Sequence, residues 1–324
     1  MNSWVCEEPG RMIHQELSMP KIGKGEILVQ IHHIGICGTD IHAFEGTQPF
    51  FSYPRRLGHE LGGKIIDSNG SKKFSNGETI TIIPYFHCGK CYACRSAKTN
   101  CCEKLAVYGV HVDGGMVEYV SVPEDFIIGG RGLSTKSLAI VEPMSIGLHG
   151  IKRSGLGKGE RVLVIGAGPI GILTGLSGAL MGAEVYFMEL NEGRLEKALE
   201  LVEGSKRFVQ GEKFGVVIDA TGNLKAIESG IDYLDHSGKY ILVGLQKEKF
   251  SFSHPEFHKR EASLMSSRNA TKEDFEKVIE WLESGKVPVE KIITRELKSG
   301  DLINFFQNKL LKEYMNEIKI MIEL

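Results

Sequence analysis

Several features that would assign this chain to a specialised class of protein are missing from its sequence. No apolar run approaches the roughly 20 residues needed to cross a bilayer, so we expect no membrane association. The formal net charge of the 324 residues is only −2, which gives no electrostatic reason to expect nucleic acid or an anionic membrane as a partner. The N-terminus lacks a basic segment followed by an apolar one, so no signal peptide is expected.

Cysteine is also scarce, and most of it is concentrated in one stretch. The chain has seven cysteines, and most of them lie between residues 88 and 102. Such clustering is typical of metal ligands in a reducing compartment rather than of a disulfide framework. We therefore expect a cytoplasmic protein.

The pattern of apolar residues changes along the chain. At 324 residues, two domains are expected rather than one. The early part reads as short strands broken by glycine-containing turns. From Arg161 strands alternate with helices, which is typical of a parallel sheet covered by helices, and a further helix is predicted at Lys272–Glu283. The predicted fold class is α/β, with a β-rich part and a doubly wound parallel sheet.

A glycine-rich turn follows the first strand of the alternating region. The apolar run Arg161–Ile165 leads into a G-x-G-x-x-G motif that opens a helix, the context that identifies a dinucleotide-binding turn. Glycines there permit a tight turn, close approach of a pyrophosphate and close helix–strand packing, and the helix N-terminus offers free N–H groups to the phosphates. The predicted cofactor-binding residues of this motif are Gly166, Gly168, Pro169, Ile170 and Gly171.

The next predicted strand ends in an acidic residue, Glu189, 23 residues after Gly166. A carboxylate there can accept hydrogen bonds from the adenosine ribose hydroxyls and would repel a 2′-phosphate. NAD is therefore predicted over NADP. Arg194 lies nearby and could accommodate the phosphate instead, so the preference stays open at this point.

Four cysteines form a C-x2-C-x2-C-x7-C array, consisting of Cys88, Cys91, Cys94 and Cys102. Four thiolates bind Zn²⁺ tetrahedrally in a closed, structural site. Cys101 is an alternative fourth ligand, although the spacing favours Cys102. An iron–sulfur cluster is a weaker alternative, because no Pro follows the fourth cysteine and only one array is present.

A second candidate metal site lies earlier in the chain. Cys37, His59 and Glu60 offer a thiolate, an imidazole and a carboxylate, a set that suits a catalytic zinc with one open position. Taken alone, Cys37 and His59 could equally be buried structural residues. Glu60 adjoins His59, so both side chains can reach one metal only if the backbone bends there, and Gly58 makes such a bend easy.

With these motifs in chain order, the sequence resembles the zinc-dependent medium-chain alcohol and polyol dehydrogenases. The resemblance covers essentially the whole chain. It implies a GroES-like catalytic domain at 1–146 and 270–324, with a structural zinc lobe at about 86–104, and a Rossmann NAD-binding domain at 147–269. It also implies two Zn²⁺ per chain, NAD, and a homodimer or homotetramer. The motifs that carry it are Gly35–His42, Gly58–Glu60, the four-cysteine array, Val141–Pro143 and Gly166–Gly171.

The family's site residues transfer by motif. Cys37 and His59 would be catalytic zinc ligands. Glu60 and Glu142 would both lie beside the metal, with Glu60 favoured as the direct ligand. Thr39 would accept the substrate hydroxyl proton, and His42 would pass it outward. The cofactor-binding set also includes Glu189, Arg194, Thr221 and Gly244, although the segment 204–215 is shorter than the family usually has.

The stretch Gly46–Arg55 is most similar to the sugar-acid branch of the family, such as L-galactonate 5-dehydrogenase. The implied reaction transfers a hydride to NAD from a secondary alcohol of a polyol or a sugar acid of the L-galactonate or L-gulonate type. Arg55 and Arg56 are candidates for pairing with a substrate carboxylate. Sorbitol (L-iditol) dehydrogenase and L-threonine 3-dehydrogenase remain alternatives, as does a non-catalytic dinucleotide-sensing protein.

Overall fold

The computed structural model describes residues 1–48, 51–308 and 317–324. The chain divides into two compact units, one of Met1–Glu142 with Thr271–Leu324 and one of Pro143–Ala270. Within the described ranges no helix is long and apolar enough to cross a membrane. The two units are described separately below.

Short strands dominate the part of the first unit that precedes residue 142. Its turns use glycines with positive φ, among them Gly10, Gly25 and Gly77, a conformation that residues with a Cβ rarely adopt. The strands are β1 (Asn2–Glu8), β2 (Arg11–Glu16), β3 (Glu26–Ile36), β4 (Glu60–Asp67), β5 (Thr79–Ile82), β6 (Tyr85–Phe86), β7 (Ala106–Val107), β8 (Tyr119–Pro123) and β9 (Ile127–Gly129). The helices are α1 (Gly38–Phe44), α2 (Tyr92–Arg95) and α3 (Thr135–Leu138).

The second unit alternates strands with helices, as its sequence predicts. It begins inside helix α4 (Val141–Ser154). Its strands are β10 (Arg161–Ile165), β11 (Glu184–Met188), β12 (Lys206–Arg207), β13 (Phe214–Asp219), β14 (Leu234–Leu242) and β15 (Ser263–Ser266). The helices between them are α5 (Pro169–Leu180), α6 (Glu192–Leu201), α7 (Leu224–Gly230) and α8 (His254–Lys259).

The C-terminal segment returns to the first unit. The helix predicted at Lys272–Glu283 is present with those bounds as α9, and Thr271 and Asp274 form a capping box at its start. The remaining elements are α10 (Val289–Ile292), β16 (Ile293–Lys298), α11 (Leu302–Asn308) and β17 (Lys319–Glu323).

A seven-stranded sheet forms the body of the first unit, in the order β16-β17-β3-β4-β5-β9, with β8 also pairing with β3. The long strand β3 therefore contacts three neighbours. Its apolar residues Val29, Ile31 and Ile34 are buried in the core. At its end β3 runs antiparallel to both β4 and β17, so that Gly35 lies opposite Glu60 and Ile36 opposite Ile320.

The second unit contains a six-stranded sheet in the order β12-β11-β10-β13-β14-β15, in which every pairing is parallel. The chain leaves β10 for β11 on one side and later returns to β13 on the other. The carboxyl ends of β10 and β13 therefore flank the point where strand order reverses, and open parallel sheets bind their ligands at such points.

Candidate metal and cofactor sites

The N-terminus of α1 fixes the position of Cys37. Cys37 is the N-cap residue, its Sγ accepts from the Thr39 amide at 3.5 Å, and its own amide donates to Asp40 Oδ2 at 2.9 Å. The other oxygen of Asp40 accepts from the Gly58 amide at 3.0 Å. Asp40 thus ties the Cys37 turn to the segment that carries His59.

The backbone bend required at His59 is present. Gly58 has a φ of +88°, and β4 begins only at Glu60. Cys37, His59 and Glu60 then come together, with one ligand atom from each lying within 4.8 Å of the others. His59 and Glu60 are buried. These three residue types suit a zinc ion that keeps an open position.

His59 also shows that the site has unmet bonding capacity. Its Nδ1 is buried and has no hydrogen-bond partner, and its closest carboxylate contact is Asp40 Oδ1 at 3.8 Å. Burial lowers the pKa of His59, but the charges of Cys37 and Asp40 raise that pKa well above its usual value. The buried ring nitrogen without a partner and the convergence of one thiol, one imidazole and one carboxylate fit a zinc ion.

Glu60 already has a cationic partner from the C-terminal strand. Lys319 Nζ contacts both oxygens of Glu60, at 2.6 and 2.7 Å, and donates to the Ile36 carbonyl at 3.2 Å. Burial lowers the pKa of Lys319, but Glu60 raises it, with a net shift above its ordinary value. A metal at this site would thus share Glu60 with a buried ammonium group.

Gly35 leaves the space that this ion pair occupies. A Cβ at Gly35 would lie 2.0 Å from Glu60 Oε2, closer than any non-bonded contact. The carboxylate of Glu60 can therefore lie over β3 only because residue 35 has no side chain.

Glu142 is buried near this group but is not one of the three residues brought together. It lies in the first turn of α4, and the Tyr85 hydroxyl donates a hydrogen bond to its Oε1. Burial raises the pKa of Glu142 to about 7, against the lowering effect of His59. Burial, followed by the Glu142 charge, holds the pKa of Tyr85 well above its usual range.

The two residues predicted to move a proton lie on α1, on either side of Asp40. Thr39 is half-buried and adjoins the Cys37 turn, whereas His42 is exposed. His42 Nδ1 is 3.2 Å from both Glu45 Oε2 and Thr47 Oγ1. His42 is therefore in contact with solvent and with a neighbouring carboxylate.

The four cysteines of the array form a compact cluster, with their Sγ atoms within 4.8 Å of one another. Cys91 Sγ is 3.5 Å from Cys94 Sγ and 3.9 Å from Cys102 Sγ. A tetrahedron with Zn–S bonds of about 2.3 Å has sulfur–sulfur edges of about 3.8 Å, so the cluster fits Zn²⁺. Cys101 is exposed and outside the cluster.

Backbone amides favour the thiolate form in this lobe. The Cys88 and Lys104 amides both donate to Cys102 Sγ at 3.3 Å. The amides of Cys94 and Glu103 lower the pKa of Cys91 to about 6, whereas burial and then Cys91 and Cys102 raise the pKa of Cys94. Because zinc binds thiolates rather than thiols, the loop is suited to metal binding.

The glycine-rich turn between β10 and α5 has the geometry of a phosphate cradle. Gly166 has a φ of +94°, and a Cβ at Gly171 would lie 1.9 Å from the Gly166 carbonyl oxygen. A Cβ at Gly168, by contrast, would meet nothing within 4 Å. Gly168 caps α5, with Pro169 at its first position and Ile170 after it, and no acidic residue lies in the first turn. Open space thus adjoins free helix N–H groups.

Glu189 follows β11 but interacts with backbone amides. Its Oε2 accepts from the Ala167 amide at 2.8 Å, and its Oε1 accepts from the amides of Leu190 and Asn191 at 2.8 and 2.9 Å. Glu189 therefore holds the glycine-rich turn against the end of β11. Oε1 thus accepts two hydrogen bonds and Oε2 accepts one, so a ribose hydroxyl could still donate to Oε2. Asn191 caps α6, and its Oδ1 accepts a hydrogen bond from the Arg194 amide at 3.1 Å.

Thr221 and Gly244 lie together around one buried carboxylate, Asp219. Thr221 Oγ1 donates to Asp219 Oδ2 at 2.7 Å, and the Gly222 amide donates to Oδ1 at 3.1 Å. A Cβ at Gly244 would lie 2.2 Å from the Gly222 nitrogen. Asp219 thus organises the backbone at the carboxyl end of β13.

The two arginines considered for a substrate carboxylate already have protein partners. Arg55 Nη2 donates to Ser52 Oγ at 2.9 Å, and its Nη1 is 3.4 Å from Asp113 Oδ1. Arg56 Nη2 is 3.5 Å from Asp113 Oδ2. Their guanidinium groups are thus drawn to Asp113, and we do not assign either to a substrate.

Comparison with known proteins shows the family. The chain matches the alcohol dehydrogenase GroES-like domain over residues 23–130 and the zinc-binding dehydrogenase domain over residues 169–284. It is 39% identical to L-galactonate-5-dehydrogenase of Escherichia coli K12, with 96% of each chain covered. The chain therefore belongs to the zinc-dependent medium-chain dehydrogenases. The predicted fold, GroES-like plus Rossmann, is confirmed.

Other similar proteins include a polyol dehydrogenase and an alcohol dehydrogenase of known structure. It is 30% identical to sorbitol dehydrogenase of Halalkalibacterium halodurans, with 89% of each chain covered. Among solved structures, the rspB alcohol dehydrogenase of E. coli CFT073, complexed with NADH, matches with a TM-score of 0.91 at 28% identity and covers 100% of this chain and 99% of that one. The chain is thus an oxidoreductase of this family.

Sequence reasoning missed Lys319, Tyr85 and Asp219. Lys319 could have been found, because it is the single charged residue in the apolar run Ile318–Ile322. A charge buried in such a strand requires a partner of opposite charge. Tyr85 and Asp219 left no comparable signal.

Proposed function

We propose that this chain oxidises a secondary hydroxyl of a sugar acid, with NAD as the hydride acceptor and L-galactonate as the first candidate substrate. The observation that carries the proposal is the convergence of Cys37, His59 and Glu60 within 4.8 Å in a chain 39% identical to L-galactonate-5-dehydrogenase. The alternatives differ in substrate, since sorbitol dehydrogenase is also a relative.

In this proposal Cys37 and His59 would hold a zinc ion, Glu60 would be the third protein ligand and Glu142 would lie beside the site. A bound zinc would supply a Lewis acid that lowers the pKa of the substrate hydroxyl. Asp40 positions both Cys37 and the turn at Gly58 through its two hydrogen bonds. The second zinc would be held by Cys88, Cys91, Cys94 and Cys102 and would be structural.

Proton transfer is assigned to α1. Thr39 accepts the proton that leaves the substrate hydroxyl, and His42, or water, passes it to solvent. The exposure of His42 and its 3.2 Å contact with Glu45 support the outward step. Oxidation of the alcohol to a ketone releases this proton and one hydride, and a bound NAD would accept the hydride.

The cofactor is assigned to the turn at Gly166–Gly171. The open space beside Gly168 supports a pyrophosphate there. The carboxylate of Glu189 supports NAD over NADP, because it would repel a 2′-phosphate. The preference rests on Glu189, because similar solved structures carry NADH in one case and NADP in another.

A substrate panel tests the proposal. NAD reduction is followed by the absorbance of the NADH formed, with L-galactonate, L-gulonate, sorbitol and L-threonine as substrates. The sugar acids should give the highest kcat/KM, and Cys37→Ser should abolish turnover while keeping the fold, because Ser is a good helix N-cap. Faster turnover of sorbitol or L-threonine would reassign the substrate. Absence of turnover with every compound would overturn the proposal.

A further inference from the structure

Tyr85 is buried beside the proposed catalytic group but has no role in the mechanism above. Its exposed fraction is 3%, and its hydroxyl donates to Glu142 Oε1. A buried tyrosine hydroxyl requires a hydrogen-bond partner, and a buried carboxylate requires donors. Each group therefore satisfies the other.

The position of Tyr85 is fixed by its surroundings. It lies in β6, which pairs with β7 so that Tyr85 is opposite Val107. Its ring and that of Phe275 of α9 pack edge to face, with ring centroids 6.2 Å apart. Cys88 and Cys102 lie just after β6 and just before β7, so this pair of strands closes the base of the four-cysteine lobe. The hydroxyl is therefore held on a rigid support.

Glu142, unlike Tyr85, interacts electrostatically with several charged groups of the proposed metal site. The carboxylate of Glu142 is buried and accepts from the Tyr85 hydroxyl, and the charges of His59, Glu60 and Lys319 all act on it. A carboxylate in this position could serve as an additional metal ligand if nothing else held it.

We propose that Tyr85 is a positioning residue, whose hydrogen bond holds Glu142 beside the metal site and keeps it from becoming an additional ligand. The proposal rests on the proposed zinc site at Cys37 and His59. It explains why the three-residue group contains Glu60 but not Glu142. It also links the four-cysteine lobe to the Cys37 site, because strand β6 at the base of the lobe carries the hydroxyl that holds Glu142.

The proposal predicts that Tyr85→Phe strengthens metal binding, whereas a variant that only disturbed the packing would bind metal more weakly. In the metal-free variant Glu142 is left buried without its donor, which is unfavourable. In the metal-loaded variant the carboxylate can bind the ion instead. Metal binding should therefore tighten, by about 10-fold if the unpaired carboxylate costs what one buried charged group usually does. Loss of packing alone would weaken binding.

The test uses cobalt in place of zinc and does not depend on substrate or NAD. Protein whose four-cysteine lobe keeps its zinc, and whose Cys37 site has been emptied, is titrated with Co²⁺ in competition with a chelator. The visible absorption of the Cys37 site is recorded for the wild type, Tyr85→Phe and Tyr108→Phe. Tyr108 is a buried tyrosine that follows β7 and packs on Phe86 at 5.4 Å, which makes it a matched control. Tyr85→Phe should bind Co²⁺ more tightly and show weaker absorption bands, the sign of an additional ligand, and Tyr108→Phe should match the wild type.

The pair Glu142→Gln and Tyr85→Phe/Glu142→Gln completes the experiment. With the carboxylate removed, the Tyr85 substitution should change neither affinity nor spectrum. Wild-type affinity and spectrum in Tyr85→Phe, or weaker binding in both Tyr85→Phe and the double variant, would overturn the positioning role. The proposed function fails separately, if no alcohol is turned over. The metal affinities and spectra would still test the role of Tyr85, because they are measured without substrate or NAD.

Discussion

The buried pair of Lys319 and Glu60 allows a quantitative prediction for Lys319→Met. Methionine is unbranched and adaptable, so it can fill the space of the lysine side chain while removing its charge. Glu60 is fully buried and Lys319 is 3% exposed. Removing one partner of such a pair costs about 3–5 kcal/mol, because the other charge is left uncompensated. For a unit of about 200 residues this corresponds to a loss of roughly 6–20 °C in Tm.

Metal should reduce that loss. A zinc ion held by Cys37 and His59 gives Glu60 another cation, so Lys319→Met should be destabilised less when metal is bound than after treatment with a chelator. The double variant Glu60→Gln/Lys319→Met has no uncompensated charge and should be more stable than Lys319→Met alone. Thermal unfolding of the wild type, both single variants and the double variant, with and without zinc, measures all of these differences.

One pattern of results would refute this reasoning. If Lys319→Met lost the same stability with and without zinc, the metal would not compensate the charge of Glu60 in place of the lysine ammonium group. If the effects of Glu60→Gln and Lys319→Met simply added, the two residues would not be energetically coupled at all, whatever their 2.6 Å separation suggests.

Three further predictions concern the other parts of the molecule. Cys94→Ser should lower the zinc content by one and reduce Tm, whereas Cys101→Ser should do neither, and metal analysis showing the reverse would contradict the ligand set. Gly35→Ala should destabilise the chain by several degrees, because its Cβ would lie 2.0 Å from Glu60 Oε2; an unchanged Tm would show that the carboxylate moves at no cost. Glu189 should give NAD a higher kcat/KM than NADP in steady-state kinetics of the wild type, and the opposite ratio would contradict its assigned role.

The features predicted well from sequence are those encoded by neighbouring residues. Strand β10, strand β11 and helix α9 lie where the pattern of apolar residues predicts them. The cysteine cluster likewise depends on spacing within a single loop. The glycine-rich turn follows from its position between a strand and a helix. All of these are local, so one sequence is enough to find them.

The features missed depend on long-range packing. Lys319 and Glu60 are 259 residues apart in sequence, and Tyr85 and Glu142 are 57 apart. Their contacts follow from the pairing of β17 with β3 and from the placement of α4, which no local pattern specifies. Glu189 illustrates an intermediate case. An acid at the end of β11 was expected, but its bond to the Ala167 amide depends on backbone positions that only the folded chain reveals.

Zinc stoichiometry tests the central claim most directly. Metal analysis of purified wild-type protein and of Cys37→Ser, each with its NAD-linked turnover of L-galactonate, addresses both metal sites and the chemistry together. The account predicts two zinc ions per wild-type chain, and one zinc with no turnover in Cys37→Ser, because the four-cysteine lobe keeps its ion. A wild-type chain that is active with a single zinc, or a Cys37→Ser variant that keeps two zinc ions and full turnover, would contradict it.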